Sequence, residues 1–429
     1  MKSAAMKIEN RMTLAQWLTH LEAIHPITID MGLERVRRVR DVMVLSPAFP
    51  VVIVGGTNGK GSTCAMLTAI FRAAGYKVGT YTSPHLIRYN ERVCINGLPA
   101  GDEDIVESFS AIEEARGETS LTYFEFGTLA AMHQFVSANV DVAILEVGLG
   151  GRLDAVNIFE PDVSAVVSVD LDHQSYLGDT REAIGFEKAG IFRSGKPAIY
   201  GEPHPPATLV AHAQSIGADL WCIGRDFGFV NETTQWRWTS KNGNKPGLPF
   251  PALRGAFQLG NASVVIAILE QLRDRVPVSM GDIKRGLVEV ELAGRFQVLP
   301  GRPSVVLDVG HNPHAAKSLA NNLLNQGFFE STRAIFGAMA DKDIAGVIEL
   351  LKDQIDIWHL VSLPMPRAAS AQAIASVLAA SGAKGRVILH DNMSTAWEAA
   401  CKDAGENDRI VVFGSFVTVA EAMVARGQG

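Results

Sequence analysis

Short runs of β-branched and apolar residues recur along this chain, separated by longer stretches with helical spacing. Residues 51–54 (VVIV), 142–145, 163–169 and 198–200 are short runs rich in β-branched and apolar residues, which predicts buried strands. The intervals are long enough for crossover helices. That alternation predicts a parallel sheet wrapped by helices. The rhythm breaks over 225–256, where Trp, Asn, Gly and Pro gather and Asn242-Gly243 signals a hairpin turn. A small β element, still part of the first domain, is expected there.

After Gly294-Arg295 the alternation restarts. Five strand candidates, at 305–308, 334–336, 357–361, 387–389 and 410–413, are separated by helical patterns. Together they predict a doubly wound α/β domain of about 130 residues. The stretch VLPGRPS (298–304) supplies the Pro and Gly of a boundary. The domains expected are therefore 1–296 and 297–429, with a ligand site between them as the default.

Composition narrows the function classes. The 429 residues are 47% apolar and 20% charged, which is globular. Net charge is −7 and no dense Lys/Arg block occurs, which argues against nucleic acid or an anionic membrane as partner. The four cysteines (64, 94, 222 and 401) have no CxxC spacing, so reduced thiols and a cytoplasmic protein are expected. The N-terminal MKSAAMKIENRM lacks an apolar core and does not read as a signal peptide. No apolar run approaches the roughly 20 residues of a membrane span.

The strongest local signal is VVIVGGTNGKGST (51–63): strand, glycine-rich loop, lysine, hydroxyls, then a helical pattern. Glycines let successive N–H groups turn toward phosphate oxygens, the helix start adds its positive end, and Lys60 adds a full charge. The loop departs from GxxxxGK[ST]. Val54 stands where the first Gly belongs, and Gly61 stands where a magnesium-binding hydroxyl would follow the lysine. A metal at this loop must find its oxygen elsewhere. No NKxD guanine-reading motif is present, since Asn244-Lys245-Pro246 is followed by Gly247, which favours adenine.

Several segments carry candidate chemistry. Ser83, in TSPHL after the strand pattern KVGTY, can supply the missing hydroxyl, although a Ser before Pro is commonly a turn residue. Glu146 ends the strand DVAILE ahead of a glycine-rich loop, on the ligand-binding rim of a parallel sheet. The plainer reading is a strand-end salt bridge. His173 follows 27 residues later in DLDHQ, about one βα unit on. A nitrogen ligand is unusual for Mg²⁺. Lys188 lies in a helical stretch and by itself reads as a solvated or salt-bridged lysine. Asp308 and His311, in DVGHNPH after another strand, together with Arg295, suit charge stabilisation in phosphoryl transfer. A capping Asp is the alternative for Asp308.

Taken together, these segments resemble the bifunctional dihydrofolate synthase/folylpolyglutamate synthase family, a branch of the Mur ligase-like amide ligases. The stretches that carry the resemblance are GGTNGKGST (55–63), TSPHLIRYNER (82–92), TYFEFGTLAA (122–131), EVGLGGRLDAVN (146–157), LDHQSYLG (171–178), EKAGIFRSGKPAI (187–199), GRFQ (294–297), DVGHNPHA (308–315) and DKDI (341–344). The resemblance implies an α/β fold, with an N-terminal P-loop ATPase-type parallel-sheet domain and a C-terminal Rossmann-like doubly wound domain. It implies a reaction in which ATP phosphorylates a carboxylate of a pterin-bearing substrate and the amine of L-glutamate displaces phosphate. Phosphorylation makes sense chemically, because a free carboxylate offers only oxide as a leaving group.

The resemblance also implies roles. Thr57, Asn58, Gly59 and Lys60 cradle the ATP phosphates. Ser83, Glu146 and His173 hold one or two Mg²⁺ ions, which answers the puzzle of Gly61. Lys188 matches a lysine that is carbamylated, a change that reverses its charge. Asn261, Arg295 and Asp308 match nucleotide contacts, with His311 beside them. Dihydropteroate or a reduced folate touches Ile27, Thr28, Ile29 and Asp30, then Thr122, Tyr123, Phe124 and Glu125, then Leu153, Asp154 and Ala155. Without the resemblance, Phe124 reads as a core aromatic and Asp30 as a helix cap. A monomer is expected. Other readings stay open: a folylpolyglutamate synthase only, another Mur-type amino-acid ligase, a nucleotide-binding regulator without ligase chemistry, or a P-loop kinase. The kinase is disfavoured by the second α/β domain, and the Mur-type alternative by Gly61 and TSPHL.

Overall fold

A computed structural model describes residues 12–27, 29–255 and 257–427. The described residues fall into two compact units. The first lies within Met1–Ser83, Tyr89–Leu248 and Ser263–Leu287, the second within Pro84–Arg88, Pro249–Ala262 and Val288–Gly429.

The first unit is built on β1 (Val51–Gly55), β2 (Val78–Tyr81), β3 (Val93–Ile95), β4 (Leu98–Pro99), β5 (Val142–Glu146), β6 (Val163–Val166), β7 (Pro197–Tyr200) and β8 (Asp219–Cys222). Among the described residues these form one sheet in the order β4-β3-β2-β5-β1-β6-β7-β8. From β2 to β8 neighbours run parallel, while β3 and β4 close one edge antiparallel. Every residue of β1 and β5 is buried, as expected of central strands with helices on both faces. The helix Lys60–Ala73 follows β1 and buries Met66, Leu67, Ile70 and Phe71 along one stripe. Each such side chain contributes about 1.5–3 kcal/mol when taken from water. The strand expected over 163–169 ends at Val166, because the segment beyond turns its hydrogen bonds to the loop after β1.

The Trp-rich stretch is a three-stranded antiparallel sheet, β9 (Phe227–Asn231), β10 (Trp236–Ser240) and β11 (Gly243–Leu248), in the order β11-β10-β9. Trp236 and Trp238 are buried, and the indole N–H of Trp238 donates to Ser263 O at 3.2 Å.

In the second unit all five expected strands are present: β13 (Ser304–Asp308), β14 (Thr332–Phe336), β15 (Ile357–Val361), β16 (Arg386–His390) and β17 (Arg409–Phe413). β12 (Gln297–Leu299) adds an antiparallel edge, giving the order β12-β13-β17-β14-β15-β16. The period of two along a strand sorts the core. Val306, Val411 and Phe413 face one cluster with Leu319, Leu323 and Ile348. Val305, Leu307, Ile410 and Val412 face another with Met393, Ala396 and Val419. Helices therefore cover both faces of this sheet, which is the doubly wound arrangement.

Candidate active site

The sheet order gathers the candidate residues of the first unit at one rim. β2, β5, β1 and β6 are consecutive neighbours, so the loops after their carboxyl ends lie side by side. Glu146 ends β5, and the loops carry Ser83, the segment 56–60 and His173. Open parallel sheets bind ligands at this end.

Gly59 precedes the helix Lys60–Ala73 with φ 84°, a conformation a residue with a Cβ adopts at a cost. The helix start therefore faces the rim. The first N–H groups of a helix have no acceptor within it and suit an anion. Lys60 folds over the loop, donating to Gly56 O at 2.9 Å and Thr57 O at 3.3 Å. The backbone N–H groups of Thr57 and Asn58 are bonded to Ser168, at O and Oγ respectively, each at 2.9 Å. Those two residues therefore hold the loop's shape.

Glu146 is buried at 4% exposure, and the backbone N–H of Ser83 lies 3.3 Å from its Oε2. A hydroxyl beside a carboxylate is a hard-oxygen donor set of the kind Mg²⁺ takes. Among the described residues no three His, Cys, Asp or Glu side chains group around a metal position. A cation here would thus draw on the Ser83 hydroxyl and on phosphate and water oxygens as well. His173 adopts φ 51°, in the left-handed region that few non-glycine residues enter, and its N–H donates to Asp172 Oδ1 at 2.9 Å.

Lys188 is buried in the helix Arg181–Ala189, so it is neither solvated nor a surface ion pair. Burial is the main cause that pulls its amine down to about 7. Lys60 pushes the same way, while Asp172 and Asp154 oppose. Asp154 is buried too, and burial raises its carboxyl to about 7 against N–H donors from Leu149, Val156 and Gly148. Two of those bonds are 2.8 Å (Leu149) and 3.1 Å (Val156). Lys60, Lys188, Asp154 and Asp172 thus share one electrostatic neighbourhood.

Beside this rim, Phe124 is half-buried, 5.8 Å from the ring of Tyr81, and a Cβ added at Gly148 would meet it at 2.7 Å. It is an edge-of-core aromatic with part of its surface in solvent. Thr122 and Glu125 form a reciprocal cap at the start of the helix Tyr123–Ser137. Tyr123 stacks edge-on with Tyr89 at 5.7 Å and lies under Arg92. Asp30 is not a helix cap: the nearest helix starts at Glu34 after Leu33. Instead Asp30 Oδ2 pairs with Arg35 at 2.7 Å and His25 at 3.1 Å, and Arg35 also reaches Glu125 at 3.2 Å. Ile27 is exposed, Ile29 half-buried, and Thr28 lies outside the described residues. Leu153 is half-buried beside Asp154, and Ala155 is buried.

In the second unit Asp308 ends β13 and accepts from Phe296 N at 2.9 Å and Gly310 N at 2.7 Å. It does not cap the next helix; Asn312 does, accepting from Ala315 N at 2.9 Å. Burial raises the Asp308 carboxyl, against Arg295, His311 and the two N–H groups. Arg295 lies over the Phe416 ring at 4.9 Å, and His311 Nδ1 is 3.1 Å from Val309 O. Asn261 is buried in the helix Gln258–Leu272 and donates to Gln258 Oε1 at 3.0 Å.

Sequence reading gave no role to Ser168, Asp172, Arg35, Arg181 or Glu202, although Ser168 lies in the strand run 163–169 and Asp172 in LDHQSYLG (171–178).

Comparison with known proteins places the chain. Residues 54–269 match the Mur ligase middle domain, and residues 294–416 match the Mur ligase, glutamate ligase domain. The chain is 45% identical to the dihydrofolate synthase/folylpolyglutamate synthase of Escherichia coli, over 96% of this chain and 94% of that protein. It is 41% identical to the Haemophilus influenzae protein of the same name, over 97% and 98%. The solved structure of E. coli FolC in complex with DHPP and ADP superposes with a TM-score of 0.92 at 44% identity, over 97% and 98%. A bifunctional folylpolyglutamate synthase/dihydrofolate synthase with Mn, AMPPNP and L-glutamate bound superposes with a TM-score of 0.89 at 44% identity, over 97% and 98%. With its rim geometry, both domain matches and near full-length relatives in agreement, the chain belongs to the dihydrofolate synthase/folylpolyglutamate synthase family of Mur ligases.

Proposed function

We propose that the chain is an ATP-dependent amide ligase that adds L-glutamate to dihydropteroate, giving dihydrofolate, and to reduced folates, through an acyl phosphate. The relatives' shared name supports both activities, and the relatives solved with ADP, AMPPNP, Mn and L-glutamate support the nucleotide, the divalent ion and the amine. One observation in this chain carries the reading: a phosphate-type loop and the buried Glu146 meet at one sheet rim, and the buried Lys188 shares the electrostatic neighbourhood of Lys60.

In this reading residues 1–296 act as the ATP-binding part, with the pterin site, and 297–429 as the ligase part. Gly59 and Lys60 face the phosphates, while Thr57 and Asn58 keep the loop's shape. Ser83, Glu146 and His173 hold one or two Mg²⁺ ions, which supply charge neutralisation at the transferring phosphoryl group. Lys188 has an amine that is about half neutral near pH 7, so it can take up CO₂: the N–C bond forms as a proton leaves, and the resulting carbamate is anionic. Asn261, Arg295, Asp308 and His311 supply nucleotide contacts of the second unit. Phe124 offers a flat apolar face to the pterin. Asp30, Ile27, Thr28, Ile29, Thr122, Tyr123, Glu125, Leu153, Asp154 and Ala155 line the rest of that site. The protein works as a cytoplasmic monomer; no helix among the described residues is long and apolar enough to cross a membrane.

The test is ADP release from ATP, Mg²⁺ and L-glutamate, with dihydropteroate or tetrahydrofolate added in turn. Stimulation by both supports the dual activity, and stimulation by tetrahydrofolate alone supports a folylpolyglutamate synthase only. No stimulation by either would falsify the ligase reading.

A further inference from the structure

The segment after β6 is gripped from two sides. Toward the phosphate-type loop, Val167 N donates to Gly55 O at 2.9 Å, and Ser168 O accepts from Thr57 N at 2.9 Å. Ser168 Oγ exchanges bonds with Asn58, accepting from N at 2.9 Å and donating to O at 3.0 Å. Thr57 Oγ1 does the same with Asp170, accepting from N at 3.0 Å and donating to O at 3.1 Å. The contact is close: a Cβ added at Gly56 (φ 149°) would meet Ser168 N at 3.2 Å.

On the opposite side the grip comes from two charged side chains. Val169 N donates to Glu202 Oε2 at 2.9 Å, and Arg181 Nε donates to Val169 O at 2.8 Å. Arg181 and Glu202 are themselves paired at 3.1 Å, and the Tyr200 hydroxyl donates to the same Glu202 oxygen at 2.8 Å. An exposed ion pair alone contributes little. This one is fixed by a backbone N–H, a backbone carbonyl and a tyrosine, so its geometry is set. Arg181 is also the first residue of the helix that bears Lys188. Its bond to Val169 O closes the base of the loop 170–180, which carries Asp172 and His173. Compact loops with tied ends hold their side chains in place.

We infer that Arg181 and Glu202 are positioning residues for nucleotide binding: they splint Val169, and Ser168 and Asp170 pass that order to Thr57 and Asn58. The inference rests on the reading of residues 56–60 as a nucleotide loop.

The test titrates ADP, at fixed Mg²⁺, into the wild-type chain and variants by calorimetry, below the temperature at which any of them melts. Glu202→Ala and Arg181→Ala each weaken ADP binding about tenfold, the size of one lost charge-assisted contact. In a Ser168→Ala background, which removes both Asn58 bonds and keeps those to Thr57, the effect of Glu202→Ala is smaller than in the wild type, because part of the link is already cut. A residue that acted only through global stability would lower the melting temperature and leave the ADP affinity of the folded protein unchanged, which overturns the inference. So does full multiplication of the two effects in the double variant. Should the alanine variants not fold, Glu202→Gln and Arg181→Lys decide: about threefold weaker binding supports the splint, and wild-type binding in both overturns it. A wild-type chain that binds no ADP removes the nucleotide reading and this inference together, and is told apart by the wild-type titration.

Discussion

Ser83 donates its backbone N–H to Glu146 Oε2 at 3.3 Å, across the ends of two neighbouring parallel strands. That bond brings a serine hydroxyl and a buried carboxylate, both hard oxygen donors, to one strand end. Glu146→Gln keeps the shape and removes the charge. We expect turnover to fall by about a hundredfold or more, with the melting temperature within a few degrees of wild type. Near-normal turnover would take Glu146 out of the mechanism.

Lys188 gives a pH signature of stability. Its amine titrates at about 7 in the folded chain against an ordinary 10.5, so the unfolded chain holds more protons between those values. Stability then rises with pH across that window. Lys188→Met lacks the penalty, so it should melt above wild type near pH 7, and the gap should close as pH approaches 10.5. Melting curves at several pH values check this, and a gap constant with pH would contradict the buried neutral amine.

The carbamate has its own test. Lys188→Ala should lose most activity, and short carboxylic acids such as acetate should restore part of it by placing an anion in the vacated space. An unchanged rate in Lys188→Ala would leave the lysine without a catalytic part.

Phe124→Ala should raise the KM for dihydropteroate about threefold to tenfold, the scale of one aromatic contact, and leave ADP affinity unchanged. Steady-state kinetics with ADP titration as control separates the two. An unchanged KM would return Phe124 to a packing role.

Asp308 is a structural clasp as well as a candidate contact. It holds the N–H of Phe296, a residue at φ 45°. Asp308→Ala leaves two part-buried N–H groups without that acceptor, each costing up to about 1–3 kcal/mol. Urea unfolding should show a loss of that order, and a loss under about 0.5 kcal/mol would mean that water replaces the carboxylate.

Strands were the most legible part of the fold. The run at 410–413 (IVVF) has no polar residue on either face, and a buried parallel strand is the state that hides both sides. β12 left no such trace, because three residues on an antiparallel edge are too few to show a period. That Pro84–Arg88 and Pro249–Ala262 pack with the second unit follows from tertiary contacts that no local pattern encodes. At the site, Glu146 announced itself by ending an apolar strand before glycines. Lys188 did not, since a helical lysine looks the same whether it is buried or wet. Arg181 and Glu202 act through the backbone of Val169, a bland residue in both sequence and chemistry.

The placement of β1 in the middle of its sheet has a consequence for tolerance to sequence change. A strand bonded on both flanks cannot slide by one residue without turning every side chain to the wrong layer. Sequence change is thereby borne more easily by the peripheral turns, while the loop that β1 feeds stays locked in register.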